Sequence, residues 1–133
     1  MSGRELMWVY LLGAAGYGGL ESFWQGHTHW TMLLLGGVCF LVIYLVTVRL
    51  RLRFWLKVLL CAAAITGLEF LSGCLLNLWL GWEIWDYGRQ PGNLLGQICP
   101  RYACYWLLLS IPCCSLAWAI RQWLFPAREG AEN

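Results

Sequence analysis

Charged residues are scarce in this chain: only 12% of its 133 residues are Asp, Glu, Lys or Arg, whereas 60% are hydrophobic. Soluble domains are typically about 25% charged and 45–50% apolar. This composition excludes an ordinary soluble domain, and the small net charge of +2 gives no indication of nucleic-acid binding. We therefore expect an all-α integral membrane protein that forms a single membrane domain over residues 1–133.

Two catalytic signatures are also missing from the sequence. The seven cysteines include no Cys-x-x-Cys pair, which argues against a thiol oxidoreductase. No Gly-x-x-x-x-Gly-Lys nucleotide-binding loop is present, so an ATP-driven role needs a separate subunit. We predict no cofactor, and we expect the cysteines to pack between helices, although Cys74, Cys99 and Cys104 lie close enough to one predicted surface for a bridge to form.

Long uncharged runs are abundant, by contrast. Residues 31–48 and 102–120 carry no charge, and residues 58–82 carry one, Glu69. A helix crosses the hydrocarbon core of a bilayer with about 20 residues. We predict four transmembrane helices, over about residues 6–25, 31–48, 58–80 and 102–123, with an outer loop over 81–100 and a tail over 124–133.

Basic residues are unequally distributed between the two sides that four spans define. The side with the termini and the middle connection carries Arg4, Arg49, Arg51, Arg53, Lys57, Arg121 and Arg128. The other side carries Arg89 and Arg101. Because cytoplasmic loops are enriched in Lys and Arg, we predict a multi-pass protein of the cell (inner or plasma) membrane with both termini in the cytoplasm.

The tripeptide Gly-Leu-Glu occurs twice, ending at Glu21 and at Glu69, inside two of the predicted spans. Each copy is followed by an aromatic residue and a glycine, which suggests a weak two-fold internal repeat with one acid in each half. A carboxylate within the membrane is costly and is usually functional. We expect both acids to face a common cavity and to bind a proton, a cation or a lipid head group. The structural alternative is that each acid only pairs with a polar group of another helix.

The connection between the third and fourth spans is longer than the 2–8 residues that usually join helices in a bundle. It holds the aromatic and polar residues Trp85, Asp86, Tyr87 and Asn93. Indole and phenol rings are common at the membrane interface, but an interfacial anchor requires neither Asp86 nor Asn93. We therefore interpret this segment as a lid over the acids, with simple anchoring as the alternative.

Two further residues, Pro91 and Arg101, belong to the candidate site. Pro91 and the following glycine form a typical turn pair, and Arg101 is predicted to meet Glu69 or Asp86. The pair His27-x-His29 is not interpreted as a metal site, because its imidazoles point to opposite sides of an extended segment.

A family resemblance follows from these motifs. The chain contains Trp85-Asp86-Tyr87-Gly88-x-x-Pro91-x-Asn93-x-x-Gly96, preceded by Glu69-Phe-Leu-Ser-Gly and followed by Tyr105-Trp106. These residues, with Gly16-Tyr17-x-x-x-Glu21 in the first span, resemble the ABC-transporter type IV family, also called CmpB-like, over most of residues 10–110. The family usually has serine where this chain has Gly88. The resemblance implies four helices and a membrane location, and it implies site roles for the matching acids, loop aromatics and Asn93, with Pro91 and Gly96 shaping the loop.

Three functions are compatible with this sequence. The first is a small permease or transporter-like component with intramembrane glutamates beneath the loop, acting as a homo-oligomer or with a separate membrane or ATPase subunit. The second is a non-transporting module that binds membrane lipids or a partner protein. The third, an intramembrane enzyme, depends on Ser72 near Glu69, and we do not favour it because no histidine lies within a span.

Overall fold

The computed structural model describes residues 2–126 and is all-helical, as predicted. The helices are α1 (Gly3–Gln25), α2 (Trp30–Arg49), α3 (Phe54–Gly73) and α4 (Pro100–Trp123). A six-residue π-helix, Cys74–Trp79, directly continues α3. Arg128 and residues 127–133 of the predicted tail lie outside the described part of the chain.

Local sequence explains where α1 ends and α2 begins. The α1 helix ends at Gly26, which has a φ of +82°, a conformation that glycine adopts without steric cost. His29 then caps α2, because its Nδ1 accepts a hydrogen bond of 3.2 Å from the backbone N–H of Thr31. The capping contact gives His29 a structural role in the tight turn between the two helices.

Within residues 2–126, three helices are long and apolar enough to cross a membrane: α2, α3 with its π-helical extension, and α4, with 20, 26 and 24 residues. This supports the predicted membrane location. The crossing of the less apolar α1, and the two-fold repeat that pairs α1 with α3, remain predictions.

The helices are arranged around α2, which packs against α1, α3 and α4. The α1 backbone approaches only α2, whereas α3 and α4 also pack against each other. We call the end of the bundle with residues 26–29 and 80–99 the loop end. The opposite end, with residues 50–53 and the start of α1, is the termini end.

Glycines allow α1 and α2 to approach closely. A Cβ atom added at Gly13 would lie 2.4 Å from the Cβ of Phe40, and one added at Gly36 would lie 2.4 Å from the Cβ of Tyr17. No side chain larger than hydrogen fits at those distances. The interface is therefore formed by glycine on one helix facing an aromatic residue on the other.

The core of the bundle lies where α2, α3 and α4 meet. Tyr44, Val58 and Cys61 are almost completely buried there. The thiols of Cys61 and Cys114 lie 3.8 Å apart across α3 and α4. All seven cysteines are free, including Cys74, Cys99 and Cys104, and small residues of this kind fill space between helices.

Candidate functional site

Glu69 lies near the loop end of α3 and is 5% exposed. Its Oε1 accepts a hydrogen bond of 2.7 Å from the hydroxyl of Tyr87, which belongs to the long loop. Its Oε2 accepts a hydrogen bond of 2.5 Å from the indole Nε1 of Trp106 on α4. The carboxylate therefore joins α3, the loop and α4 through two neutral donors.

Tyr87 is held firmly in the loop. Its ring stacks on Tyr102 of α4 with the centroids 4.6 Å apart and the planes 10° apart. Its backbone N–H donates to the carbonyl of Gly96 at 2.7 Å. Burial raises the pKa of the Tyr87 phenol well above its usual range, and the neighbouring carboxylate of Glu69 raises it further. The hydroxyl therefore stays protonated at neutral pH and remains a donor to Glu69.

Asp86 and Asn93 bind the backbone of their own loop. The Asp86 Oδ1 atom accepts a hydrogen bond of 2.8 Å from the N–H of Gly88. The Asn93 Oδ1 atom accepts from the N–H of Gly96 at 3.0 Å, and its Nδ2 donates to Gln90 O at 2.9 Å. Tyr87, not Asp86, is the loop residue that reaches Glu69.

The turn residues of the loop have the conformations that its path requires. Gly92, after Pro91, has a φ of +72°, as the predicted turn demands, and Gly96 has a φ of +73°. A Cβ atom at Gly96 would also lie 2.9 Å from Asp86 Oδ1. A side chain at position 96 would therefore be strained and would disturb the hydrogen bond that Asp86 makes.

The loop is fixed to the π-helical end of α3. Asn77 in the π-helix donates through Nδ2 to Gln97 Oε1 at 2.8 Å and accepts at Oδ1 from the N–H of Ile84 at 2.7 Å. The indole of Trp85 donates to Gln97 O at 3.1 Å. A π-helix turns its side chains differently from an α-helix and often marks a functional region. Here it presents the amide of Asn77 to both ends of the loop.

A cavity of about 530 Å³ extends from Glu69 towards the termini end of the bundle. All four helices contribute to its lining, which is almost entirely apolar and includes Gly16, Tyr17, Phe40, Trp106, Cys113 and Leu116. Among the described residues that line it, Glu69 provides the one carboxylate. The site thus combines a large apolar volume with one acidic group at the loop end.

The cavity opens sideways, between α1 and α4. The α2 residues on its floor are buried, with Phe40 at 8% exposure and Ile43 at 3%. Its rim residues are exposed, with Leu20 of α1 and Leu116 of α4 both at 54%. Because the backbones of α1 and α4 do not approach each other, the opening would face lipid if the bundle spans a bilayer.

Glu21 lies outside this cavity, contrary to the expectation of a cavity shared by both acids. Tyr17, one turn earlier on α1, lines the cavity instead, close to both Glu21 and Glu69. The α1 residues that line the cavity lie between Leu12 and Leu20, and Glu21 follows the last of them. One Glu21 oxygen is nevertheless buried without a hydrogen-bond partner in the described structure.

Arg101 contacts neither Glu69 nor Asp86, so the prediction from the sequence that it meets one of them is wrong. Its Nε donates to the Tyr105 hydroxyl at 2.9 Å, on the exposed side of α4. Within residues 2–126, no ion pair joins Arg101 to either acid. Because α4 already begins at Pro100, Arg101 and Tyr105 lie one helical turn apart on the same exposed face, and the guanidinium lies along that face.

A second polar cluster, at the termini end, was not predicted from the sequence. Glu5 of α1, which is 3% exposed, forms an ion pair with Arg121 of α4 at 2.8 Å. The hydroxyl of Tyr44 on α2 also donates to Glu5. The sequence gives only a weak indication of this pair. Glu5 lies in the first turn of the first helix and Arg121 in the last turn of the last helix, so both belong to the same end of a four-helix bundle.

The sequence also does not identify Trp106 as a partner of Glu69, although a buried indole N–H usually requires an acceptor.

Comparison with known proteins yields one family. No curated protein and no solved structure matches the chain. A family model, described as Putative ABC-transporter type IV, matches residues 22–127. The match includes Glu69, the whole loop and α4, and it begins after the Gly16, Tyr17 and Glu21 motif of α1. Because most of the sequence is matched, the chain belongs to the family described as Putative ABC-transporter type IV.

Proposed function

We propose that this protein is a permease-like component of a transporter and that Glu69 is its binding residue for a proton or a cationic solute. The observation that carries the proposal is the position of Glu69, a buried carboxylate that borders an apolar cavity and is held by a hydroxyl from a long loop. A single charge in apolar surroundings is expensive unless it is neutralised. A proton and a cation then compete for the same group.

In this mechanism Tyr87 acts as a latch. While its hydroxyl donates to Glu69 at 2.7 Å, the loop stays attached to the bundle. A cation that approaches Glu69 from the cavity competes with the Tyr87 and Trp106 donors for the carboxylate oxygens. Loss of the Tyr87 contact frees the loop from Glu69, whereas Asp86 and Asn93 preserve the loop's own shape.

The family description suggests association with other subunits, and the sequence contains no nucleotide-binding loop of its own. We propose that the chain acts as a homo-oligomer or together with a separate ATPase subunit in the cell membrane. Its termini would lie in the cytoplasm, because the basic residues Arg49, Arg51 and Arg53 lie at the termini end.

The proposal is tested with purified protein in vesicles that contain a pH-sensitive dye. An imposed pH gradient should decay faster with the wild-type protein than in protein-free vesicles, and Glu69→Gln should abolish the difference. Glu83→Gln is the matched control, because Glu83 is an exposed acid of the loop. Equal decay with wild type, Glu69→Gln and no protein would contradict proton transport by this chain acting without another subunit.

A second candidate function, a lipid-binding module that moves no solute, is favoured by the lateral opening between α1 and α4. Native mass spectrometry distinguishes the two functions in the same preparation. A lipid retained by the wild-type protein, combined with no proton movement in vesicles, would favour the module.

A further inference from the structure

The cavity is elongated along α4. Its lining on that helix and the following turn extends from Trp106 to Leu124. At 1.5 Å per helical residue, this is a length of roughly 27 Å, close to the ~30 Å thickness of the hydrocarbon core of a bilayer. A long, narrow molecule that lies parallel to the helices therefore fits the cavity better than a compact one.

The described residues that line the cavity carry one negative charge, that of Glu69, and no compensating positive charge. Neither donor to Glu69, the Tyr87 hydroxyl or the Trp106 indole, carries a positive charge. The described lining residues include no Lys or Arg. The complement of one carboxylate in an apolar cavity is one positive charge, because a second charge on the ligand would remain buried and unpaired.

Two aromatic rings lie beside the carboxylate of Glu69. Tyr17 and Trp106 both line the cavity, and their ring centroids lie 6.3 Å apart beside Glu69. Ring faces attract quaternary ammonium groups, which are poorly hydrated and lose little on leaving water. An anionic or zwitterionic head group would instead bring a phosphate towards the carboxylate.

We propose that the cavity binds an amphipathic monovalent cation, with its positive head at Glu69 beside the rings of Tyr17 and Trp106 and its apolar chain along α4 towards Leu124. The ligand enters through the opening between α1 and α4, from within the membrane. This substrate class rests on the proposed function, since it assigns a ligand to the same carboxylate.

Two independent substitutions test this binding site, one through its charge and one through its volume. Glu69→Gln removes the charge. Gly16→Leu fills the cavity, because Gly16 lines it and a Cβ atom there would meet nothing within 4 Å. Gly19→Leu is the matched control: a Cβ atom at Gly19 also meets nothing within 4 Å, but Gly19 does not line the cavity.

Binding is measured by native mass spectrometry of protein in phosphatidylcholine nanodiscs. Dodecyltrimethylammonium is the probe, with dodecyl sulfate and dodecanol as the anionic and neutral molecules of the same chain length. We expect the wild-type protein and Gly19→Leu to bind the cation at least tenfold more tightly than either comparison molecule. Glu69→Gln should weaken cation binding at least tenfold, and Gly16→Leu should abolish it.

Each of four results would overturn the assignment. If dodecanol or dodecyl sulfate binds as tightly as the cation, or if Glu69→Gln binds the cation like wild type, the ligand class is wrong. If Gly16→Leu retains the cation, the cavity is not the site. If no probe binds the wild-type protein, the proposal fails. In each case Glu69-dependent proton movement in vesicles would leave the proposed function intact, whereas cation binding without such movement would contradict transport alone.

Discussion

The carboxylate of Glu69 has one donor for each oxygen, and the donors come from different parts of the molecule. Loss of either donor leaves a buried oxygen unsatisfied, and such a loss usually costs more than the bond itself contributes. The two donors also differ in role, because Trp106 belongs to a packed helix and Tyr87 to a loop. Removing each one should therefore affect a different property of the protein.

Trp106→Phe should lower the stability of the bundle. Phenylalanine keeps an aromatic ring but cannot donate to Glu69 Oε2, so we expect the free energy of unfolding to fall by about 1–2 kcal/mol. Unfolding of the purified protein in detergent measures the change. Trp123→Phe is the control, since Trp123 is 82% exposed. Equal stability of both variants would show that the indole contact with Glu69 contributes nothing.

Tyr87→Phe should loosen the loop while leaving the helices folded. The substitution removes the donor to Glu69 but preserves stacking on Tyr102, so a loss of about 1 kcal/mol should raise loop opening about fivefold. Hydrogen–deuterium exchange of residues 81–99 measures the opening. Tyr105→Phe, at an exposed position on α4, should leave the exchange of this segment unchanged. Unaltered exchange in Tyr87→Phe would contradict the role of Tyr87 as a latch.

The sequence identified Glu69 as a candidate but not its partners. A rare acid in an apolar run is visible by composition alone, whereas Tyr87 and Trp106 lie 18 and 37 residues away along the chain. Charge alone predicts Arg101 as the partner of Glu69. The helix instead turns Arg101 towards Tyr105, and only the path of the loop determines which hydroxyl reaches the acid.

Among the described elements, α1 and α2 pack against each other most extensively, and glycine makes their approach possible. Gly13 and Gly16 lie on the same helix but in different surroundings: Gly13 faces Phe40, whereas Gly16 faces the open cavity. The same substitution at these two positions should therefore have opposite effects.

Gly13→Ala should destabilise the bundle by about 1–3 kcal/mol, because the new methyl group would lie 2.4 Å from the Cβ of Phe40 and the helices would have to separate. Gly16→Ala should be neutral or stabilise α1 by up to about 1 kcal/mol, since alanine favours helix and meets nothing there. Thermal unfolding in detergent compares the two variants. A Gly13→Ala protein as stable as Gly16→Ala would contradict the close packing.

The α-helices follow from the sequence, whereas the π-helical extension of α3 does not. Long apolar runs determine α2, α3 and α4, and the all-helical fold follows from them. The π-helix Cys74–Trp79 was not predicted, because its wider turn depends on Asn77 binding both Ile84 and Gln97 across the loop. Such contacts form only after the loop has folded back, and no local pattern in residues 74–79 indicates them.

At the scale of the whole molecule, one aromatic and one ionic contact within residues 2–126 join α1 to α4, beyond the packing of α1 on α2. Tyr17 meets Trp106 near the loop end, and Glu5 meets Arg121 at the termini end. Both contacts connect the first helix to the last one, the first at the cavity and the second at the termini end. The width of the opening between α1 and α4 therefore depends on these side chains.

Glu5→Gln should destabilise the protein by about 3–5 kcal/mol, because Arg121 would lose the carboxylate it pairs with in a mostly buried site. Arg4→Gln is the control, an exposed charge at the adjacent position. Unfolding in detergent gives the single effects, and a double-mutant cycle with Arg121→Gln isolates the pair. Additive effects in the cycle would mean that Glu5 and Arg121 do not interact.

The orientation of the whole bundle is also testable. A single cysteine introduced as Arg51→Cys, in a variant without the native cysteines, should be protected from a membrane-impermeant thiol reagent in sealed cells. Arg89→Cys, in the long loop, should react, since we predict that the basic termini end faces the cytoplasm. The opposite pattern would reverse the predicted topology.

The ion pair between Glu5 and Arg121 has a consequence for biosynthesis. Its two residues are 116 positions apart, so a ribosome completes the first helix long before the last one exists. Until α4 is made, the Glu5 carboxylate has only the Tyr44 hydroxyl of α2 as a partner among those seen in the folded protein. The arrival of α4 therefore supplies the positive charge that pairs with Glu5 and adds a contact at the termini end to the packing of α1 on α2.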